Sequence, residues 1–142
     1  MKNRVLLVCA LALIGVSAGG CSRSDSKATS PDFTVTSDAL INEHVSSKAK
    51  AQSKYQGKTV HLTGKVFMVW DSNDNIVSSP YLHIAHSGNR SDHIACCFNS
   101  GQAVKPFSQG KQATVVGRYE GTIKGGTAGS FIIVLKDCKA AK

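Results

Sequence analysis

The sequence predicts a mainly β domain, built as a closed five-stranded barrel with one helix on its N-terminal side. Apolar positions in residues 37–55 follow a helical spacing, whereas from Lys58 onward apolar and polar residues alternate in five separate runs. The first and longest run has Gly64 at its centre. A glycine at that position suits the sharp bend of a strand that closes a barrel.

The start of the chain predicts an export signal over residues 1–20. Lys2 and Arg4 precede an apolar run that is too short for a membrane span, and small residues follow that run. Cys21 comes directly after the small residues, which resembles the lipobox of bacterial lipoproteins. In such proteins the cysteine is acylated and becomes the first residue of the mature chain, so Cys21 is the predicted lipidation site.

Two further residues bear on this signal. In lipoproteins, a serine such as Ser22 after the cysteine favours sorting to the outer membrane. Ala18 stands where the lipobox prefers a larger aliphatic residue. Ordinary cleavage after Ala18, which would release a soluble periplasmic protein, is therefore the alternative.

The remaining chain divides into a tether and one domain. Residues 21–34 are small and polar, which predicts a lipidated flexible tether. Residues 35–142 have the length of one domain with a core of its own. The formal net charge is +8 and the lysines are scattered, so the charge predicts a basic surface rather than a dedicated nucleic-acid stripe.

The helix and strands can be placed in order. Ser37 or Asp38 is predicted to cap a helix over residues 37–55, whose apolar face includes Val45, and Gly57 is predicted to end it. The strands are predicted over residues 58–70, 81–86, 93–98, 111–120 and 131–136, with a helical turn within 101–108. In the first strand, Met68 and Trp70 are predicted to face the core. This order of elements is that of an OB-fold barrel.

Four segments resemble the tRNA_anti-like family, the OB-fold lipoproteins of bacteria. They are residues 54–66, 94–98, 110–117 and 135–138, which read KYQGKTVHLTGKV, IACCF, GKQATVVG and LKDC. Each motif is short, but their order and spacing together cover nearly the whole mature domain. The resemblance implies the fold and the lipoprotein character. It carries over no activity residue by residue, since OB barrels hold oligonucleotides, oligosaccharides and proteins alike.

Cys96 and Cys138 are predicted to form a disulfide. Export places the chain in an oxidising compartment, and the third and fifth strands of an OB barrel lie side by side. The bond would close a loop of about forty residues and contribute on the order of 3–4 kcal/mol. Cys97 points the opposite way by strand alternation and is expected to be a spectator thiol. A Cys97–Cys138 bond and buried free thiols are the alternatives.

A ligand groove is predicted across the second and third strands, framed by the loops 71–79 and 121–130. The candidate ligand-binding residues are rings that can stack on bases or sugars and cations that can meet phosphates: Phe67, Tyr81, His83, Lys65, Arg90 and Lys124. No metal or cofactor is predicted. A zinc or copper site at His83, His86 and His93 with Cys97 nearby is a minor alternative, because the spacing matches no compact metal motif.

The predicted function is that of a non-enzymatic binding module of the cell envelope, an outer-membrane lipoprotein facing the periplasm. The sequence carries no Ser-His-Asp or paired-carboxylate arrangement that would support an enzyme. The membrane, through the lipid anchor, and an envelope protein are the expected partners. Binding of an oligonucleotide or oligosaccharide, or a metal- or redox-linked role, are the alternatives.

Overall fold

The computed structural model describes residues 30–71, 79–88 and 91–141. The predicted export signal, the lipidation site at Cys21, most of the tether and Arg90 lie outside these ranges. The elements in chain order are β1 (Phe33–Thr36), α1 (Ser37–Tyr55), β2 (Thr59–Trp70), β3 (Tyr81–Ala85), β4 (His93–Cys97), a 3-10 turn (Gly101–Ala103), β5 (Gln112–Lys124) and β6 (Phe131–Ala140). In the described part of the chain, none of the helical segments has the length and apolarity that a bilayer crossing requires.

Strands β2 to β6 form a closed barrel in the order β2-β3-β4-β6-β5, and β5 returns to pair with β2. The β4–β6 pair is parallel and the other barrel pairs are antiparallel. The first half of β2 pairs with β5 and its second half with β3. This connectivity is that of an OB barrel, so the predicted fold class is confirmed.

A short strand that the sequence reading did not include precedes the helix. β1 lies parallel to the start of β2 and begins at Phe33, two residues before the predicted domain boundary. The Asp32 carboxylate accepts a hydrogen bond of 2.7 Å from the Thr59 backbone N–H. Strand β1 therefore includes the last two residues of the segment predicted as a tether.

Helix α1 has the predicted bounds but a different cap, and its buried face agrees with the prediction at Leu40, Ile41 and Tyr55 but not at Val45. Thr36 is the N-cap, since its backbone is still extended and its Oγ1 accepts from the Ala39 N–H at 3.2 Å. Val45 is 64% exposed, so its predicted place on the apolar face is wrong. The buried face is centred on Leu40, Ile41 and His44, and Val45 lies to one side of it.

A β-bulge in β2 decides which side chains reach the outer surface. Val66 lies opposite Ile84 and Met68 opposite His83, so Phe67 is one extra residue between two registers. Beyond the bulge the alternation is shifted by one position. The prediction that Met68 and Trp70 face the core is therefore wrong, and Trp70 lies 37% exposed on the outer surface.

The side chains around Gly64 leave no space for a Cβ atom. A Cβ at this position would lie 2.4 Å from Cγ2 of Ile84 and 2.5 Å from Oγ of Ser37. Helix α1 therefore starts directly against the middle of β2. From there α1 packs onto the barrel core, whose largest fully buried side chains include Tyr55, Tyr119, Phe98, Leu40, Leu62 and Ile133.

Strands β5 and β6 run further than predicted. They remain paired to Lys124 and Ala140, and the pairing accommodates two register shifts. Between Lys136 and Lys139 the extra residue is in β6, and between Tyr119 and Gly121 it is in β5. The loop between the two strands is consequently shorter than the predicted 121–130. Period-two patterns stop at such shifts, which is why the sequence pattern placed the strand ends too early.

Candidate functional site

Four aromatic side chains form a continuous row across three neighbouring strands. We call this set the ring row: Trp70 on β2, Tyr81 and His83 on β3, and His93 on β4. The ring centroids of Trp70 and Tyr81 are 6.2 Å apart with planes only 7° apart. The Tyr81–His83 and His83–His93 centroids are 4.8 Å and 4.4 Å apart. Trp70 and Tyr81 are therefore stacked, and the Tyr81–His83 and His83–His93 pairs continue the row as tilted contacts.

Strand alternation places the row on the outside of the barrel. On β3, Leu82 and Ile84 are buried in the core, whereas Tyr81 and His83 are only partly buried. The bulge in β2 brings Trp70 to the same side, because it pairs with Tyr81 across the two strands. Three strands thus contribute rings to one face.

The two histidines of the ring row are held neutral near neutral pH. Burial, assisted by neighbouring His93, lowers the pKa of His83 to about 4. Burial also lowers the pKa of His93, although the Ser91 backbone and Asp92 partly oppose the shift. Neither ring nitrogen of His93 has a well-formed hydrogen bond to any described residue. This is a neutral, polarisable surface suited to stacking.

An apolar patch continues the row beyond its His93 end. Ile132 on β6 pairs with His93, and Ile123 on β5 pairs with Ile132. Ile123 is 56% exposed, and Ile132 and Val134 are partly exposed. We call these three residues the apolar patch. Lys124 follows Ile123 at the end of β5 and pairs with Phe131, so it adjoins this patch along the chain and not on the same strand face.

The predicted ligand-binding residues fall into separate places. Tyr81 and His83 belong to the ring row, and Lys124 borders the apolar patch. Lys65 and Phe67 instead line a polar cleft of about 640 Å³ between the first turn of α1 and the middle of β2, together with Ser37. The structure therefore does not bring the predicted set together in one groove.

Sequence reasoning missed two members of the row as stacking residues. Trp70 was assigned to the core, since an alternation pattern does not reveal a bulge. His93 was considered only as a metal ligand. The signal available was the repeat of a ring at every second residue in Tyr81-Leu82-His83, with apolar residues between, which marks an outward aromatic face.

The histidines do not assemble into a metal site within the described ranges, where no three His, Cys, Asp or Glu side chains come together. His83 and His93 are adjacent, but His86 makes other contacts. Its Nε2 lies 3.2 Å from Oδ1 of Asn42, and its Nδ1 accepts from the Gly88 N–H at 3.0 Å.

A second histidine–tyrosine arrangement lies inside the molecule, between α1 and the barrel. We call it the inner cluster: His44, Tyr55 and Tyr119. His44 Nδ1 donates to the Leu40 carbonyl at 2.8 Å, which leaves Nε2 to accept from the Tyr119 hydroxyl at 2.7 Å. Burial lowers the pKa of His44 and raises the pKa of Tyr119 to about 12. Both ring nitrogens of this histidine are used within the fold.

The hydroxyl of Tyr55, the third member of the inner cluster, is also hydrogen-bonded within the fold. The Tyr55 hydroxyl donates to Oε1 of Glu43 at 3.1 Å, and the Lys54 ammonium lies 2.9 Å from Oε2 of the same carboxylate. The Tyr55 and Tyr119 ring centroids are 5.9 Å apart. This arrangement joins the helix to the barrel, and a ligand would find no unsatisfied group in it.

Comparison with known proteins agrees with this fold. A Klebsiella pneumoniae protein with the provisional name nucleic acid-binding lipoprotein has a crystal structure that superimposes with a TM-score of 0.56. The two sequences are 22% identical, and the match covers 77% of this chain and 92% of the other. No curated protein sequence matches. The family model for tRNA_anti-like proteins matches residues 2–139, which is nearly the whole chain. This chain, with its OB barrel, therefore belongs to the tRNA_anti-like family.

Proposed function

We propose that this chain is a non-enzymatic binding module of the bacterial cell envelope and that the ring row is its ligand face. The observation that carries the proposal is the row itself: four rings in contact across β2, β3 and β4 on the outside of the barrel. Strands β3 and β4 are the second and third strands of the barrel, the face through which OB folds bind extended ligands.

The ligand we expect is a single-stranded oligonucleotide. Bases stack on aromatic side chains irrespective of sequence, and such contacts contribute about 1–3 kcal/mol per base. The net charge of +8, which falls to +6 when Lys2 and Arg4 are removed with residues 1–20, favours a polyanion. Lys124 lies beside the apolar patch at one end of the row. The provisional name of the Klebsiella protein points to the same ligand class.

The site of action follows from the N-terminal segment. We propose that residues 1–20 are removed on export, that Cys21 is acylated, and that residues 22–32 hold the barrel near the outer membrane on its periplasmic side. The export pattern and Ser22 support this, as does the lipoprotein character of the Klebsiella neighbour. Several acyl chains would anchor the protein firmly, since each buried methylene contributes about 0.8 kcal/mol.

The anchor can be tested by the intact mass of the protein extracted from membranes. The expected result is a chain that begins at Cys21 and carries the mass of a lipid. A Cys21→Ser variant should then lose the lipid and leave the membrane fraction. A wild-type chain that begins at Gly19 without added mass would show ordinary cleavage after Ala18.

Ligand binding can be tested directly on the row, because Trp70 is the sole tryptophan in the sequence. Titration of the protein with single-stranded oligo-dT should quench its fluorescence, more strongly at low salt than at high salt. Tyr81→Ala should weaken binding about tenfold or more, since one stacked base contact is lost. Val45→Ala, an exposed apolar change on α1, is the matched control and should leave the affinity unchanged.

The proposed ligand is wrong if oligo-dT neither quenches Trp70 nor binds saturably. It is also wrong if Tyr81→Ala and Val45→Ala have equal affinities. An uncharged oligosaccharide that quenches Trp70 without any salt dependence would assign the same face to sugars instead.

A second candidate function, docking of an envelope protein, is favoured by the apolar patch. Ile123 is 56% exposed and adjoins Ile132 and Val134, which makes a continuous apolar surface of the kind found at protein contacts. Cross-linking in envelope fractions should capture one partner with the wild type. An Ile123→Asp variant should lose that partner and keep oligo-dT binding, whereas Tyr81→Ala should show the reverse pattern.

A further inference from the structure

We propose that Cys96 and Cys138 are joined by a disulfide that forms while the chain folds, before β6 closes against β4. Cys97 is then left as a single thiol on the outer surface. The bond is a modification site that is independent of the ligand proposed for the ring row, and it would secure the last strand of the barrel.

The sheet places the two cysteines on the same side. β4 and β6 are parallel neighbours, and Cys96 lies opposite Leu135. The Cys138 thiol turns back toward that position, since its Sγ lies 3.5 Å from the Leu135 carbonyl oxygen. Both cysteines are free thiols in the structure, and Cys138 is near enough to Cys96 to raise the pKa of its thiol.

The surrounding backbone makes room for the Cys138 sulfur. A Cβ on Gly117 of β5 would lie 2.5 Å from Sγ of Cys138, so a glycine leaves the space that the sulfur occupies. Asp137, directly before Cys138, has a φ of 53°, in the left-handed region that aspartate tolerates better than most residues. It is the one non-glycine residue with positive φ in the described part of the chain.

Cys97 is on the wrong side of β4 to be the preferred partner. It pairs with Tyr81 on the outer face, whereas Cys96 pairs with buried Leu82. Successive residues of a strand point to opposite faces, so Cys97 would have to reach through the sheet to take the place of Cys96. The fold therefore selects between two adjacent cysteines.

Burial requires that the bond form early. Cys96 is 0% exposed and Cys138 is 3% exposed. The hydrogen bond with Cys138, together with burial, raises the pKa of the Cys96 thiol well above its usual range. Because the thiolate is the reacting species, the closed barrel would react slowly with any oxidant.

The chemistry is an ordinary thiol–disulfide exchange. The two thiols of this chain give up two protons and two electrons and form one S–S bond. A disulfide carried by an oxidant protein of the envelope accepts them and becomes a dithiol. Once β6 has closed, the new bond is shielded from reductants as well.

Thiol counting tests the pairing. The exported protein is unfolded in denaturant and labelled with a maleimide, with and without prior reduction. The reduced sample should label at two more thiols than the unreduced sample. Cys97→Ser, the control at the neighbouring position, should keep this difference, whereas Cys138→Ser should abolish it. No difference in the wild type, or a difference that survives Cys96→Ser, would overturn the pairing.

Refolding tests the order of events. Fully reduced protein is given glutathione disulfide either during refolding from denaturant or after refolding is complete. The bond should form at least about tenfold faster in the first case, because the thiols are still exposed. Equal rates in the two samples would show that the folded barrel admits the oxidant, and the proposed order would be wrong.

Discussion

The inner cluster and the ring row both contain histidine and tyrosine, but these residues serve different purposes in the two regions. In the inner cluster, both ring nitrogens of His44 are hydrogen-bonded, one to a helix carbonyl and one to Tyr119. In the ring row, both ring nitrogens of His93 are buried without a well-formed hydrogen bond within the described residues, whereas the row as a whole remains partly exposed. A complete set of hydrogen bonds indicates a structural role. Partly exposed rings on the outside of the barrel suit contact with a ligand.

The largest expected effect that separates the two regions is on stability. His44→Ala should lower the free energy of unfolding by about 2–4 kcal/mol, because it leaves a cavity and removes the partner of the buried Tyr119 hydroxyl. His83→Ala on the ring row should lower it by less than about 1 kcal/mol. Urea denaturation of both variants measures the difference. Equal losses would mean that the row is as structural as the cluster.

The next largest expected effect is on the packing of α1 against β2, next to the inner cluster. Gly64→Ala should destabilise the fold by about 1–3 kcal/mol, since the new methyl group meets both Ile84 and Ser37. Gly126→Ala is the matched control, because a Cβ there has no described neighbour within 4 Å. Thermal melts should show a clear drop for the first variant alone. An unchanged melting temperature for Gly64→Ala would mean that α1 can shift away from β2 with little loss in the free energy of unfolding.

Low pH should lower the stability of the fold through the histidines of both regions. Folding lowers the pKa values of His44, His83 and His93, that of His83 to about 4, whereas unfolded histidine titrates near 6.5. Above about pH 6.5 the three histidines are neutral in both the folded and the unfolded chain, so they cause no loss of stability. Between about pH 6.5 and pH 4 the unfolded chain takes up more protons than the folded one, so stability falls.

The expected loss is roughly 1–3 kcal/mol in total, because partial exposure of the row lets solvent screen part of the shift. Urea titrations at pH 7 and pH 4.5 measure it. His83→Gln should retain more of its stability at the lower pH than the wild type does. A loss of equal size in the variant would assign the acid sensitivity to His44 and His93 rather than to His83.

The smallest expected effect concerns the cations. Lys65→Ala should weaken oligo-dT binding by less than about threefold, because Lys65 lies in the polar cleft rather than on the ring row. Lys124→Ala, beside the apolar patch, should have the larger effect of the two and should reduce the salt dependence. If Lys65→Ala were the more harmful change, the ligand path would have to include the cleft.

The sequence by itself determined most of the architecture. The change of period at Lys58 placed α1 and β2 correctly, and alternation around Leu82, Ile84 and Ile94 identified core positions that are buried in the structure. These features could be predicted because a helix and a strand repeat with different periods, and burial on one face imposes that period on the apolar residues.

Only the tertiary structure decided what lies on the outside. The bulge at Phe67 turned Trp70 from the predicted core to the ring row, and Thr36 rather than Ser37 became the helix cap. A bulge depends on how two strands pair, and the helix cap depends on the residue at which the preceding strand ends. Both are set by contacts between distant segments, which a local pattern does not contain.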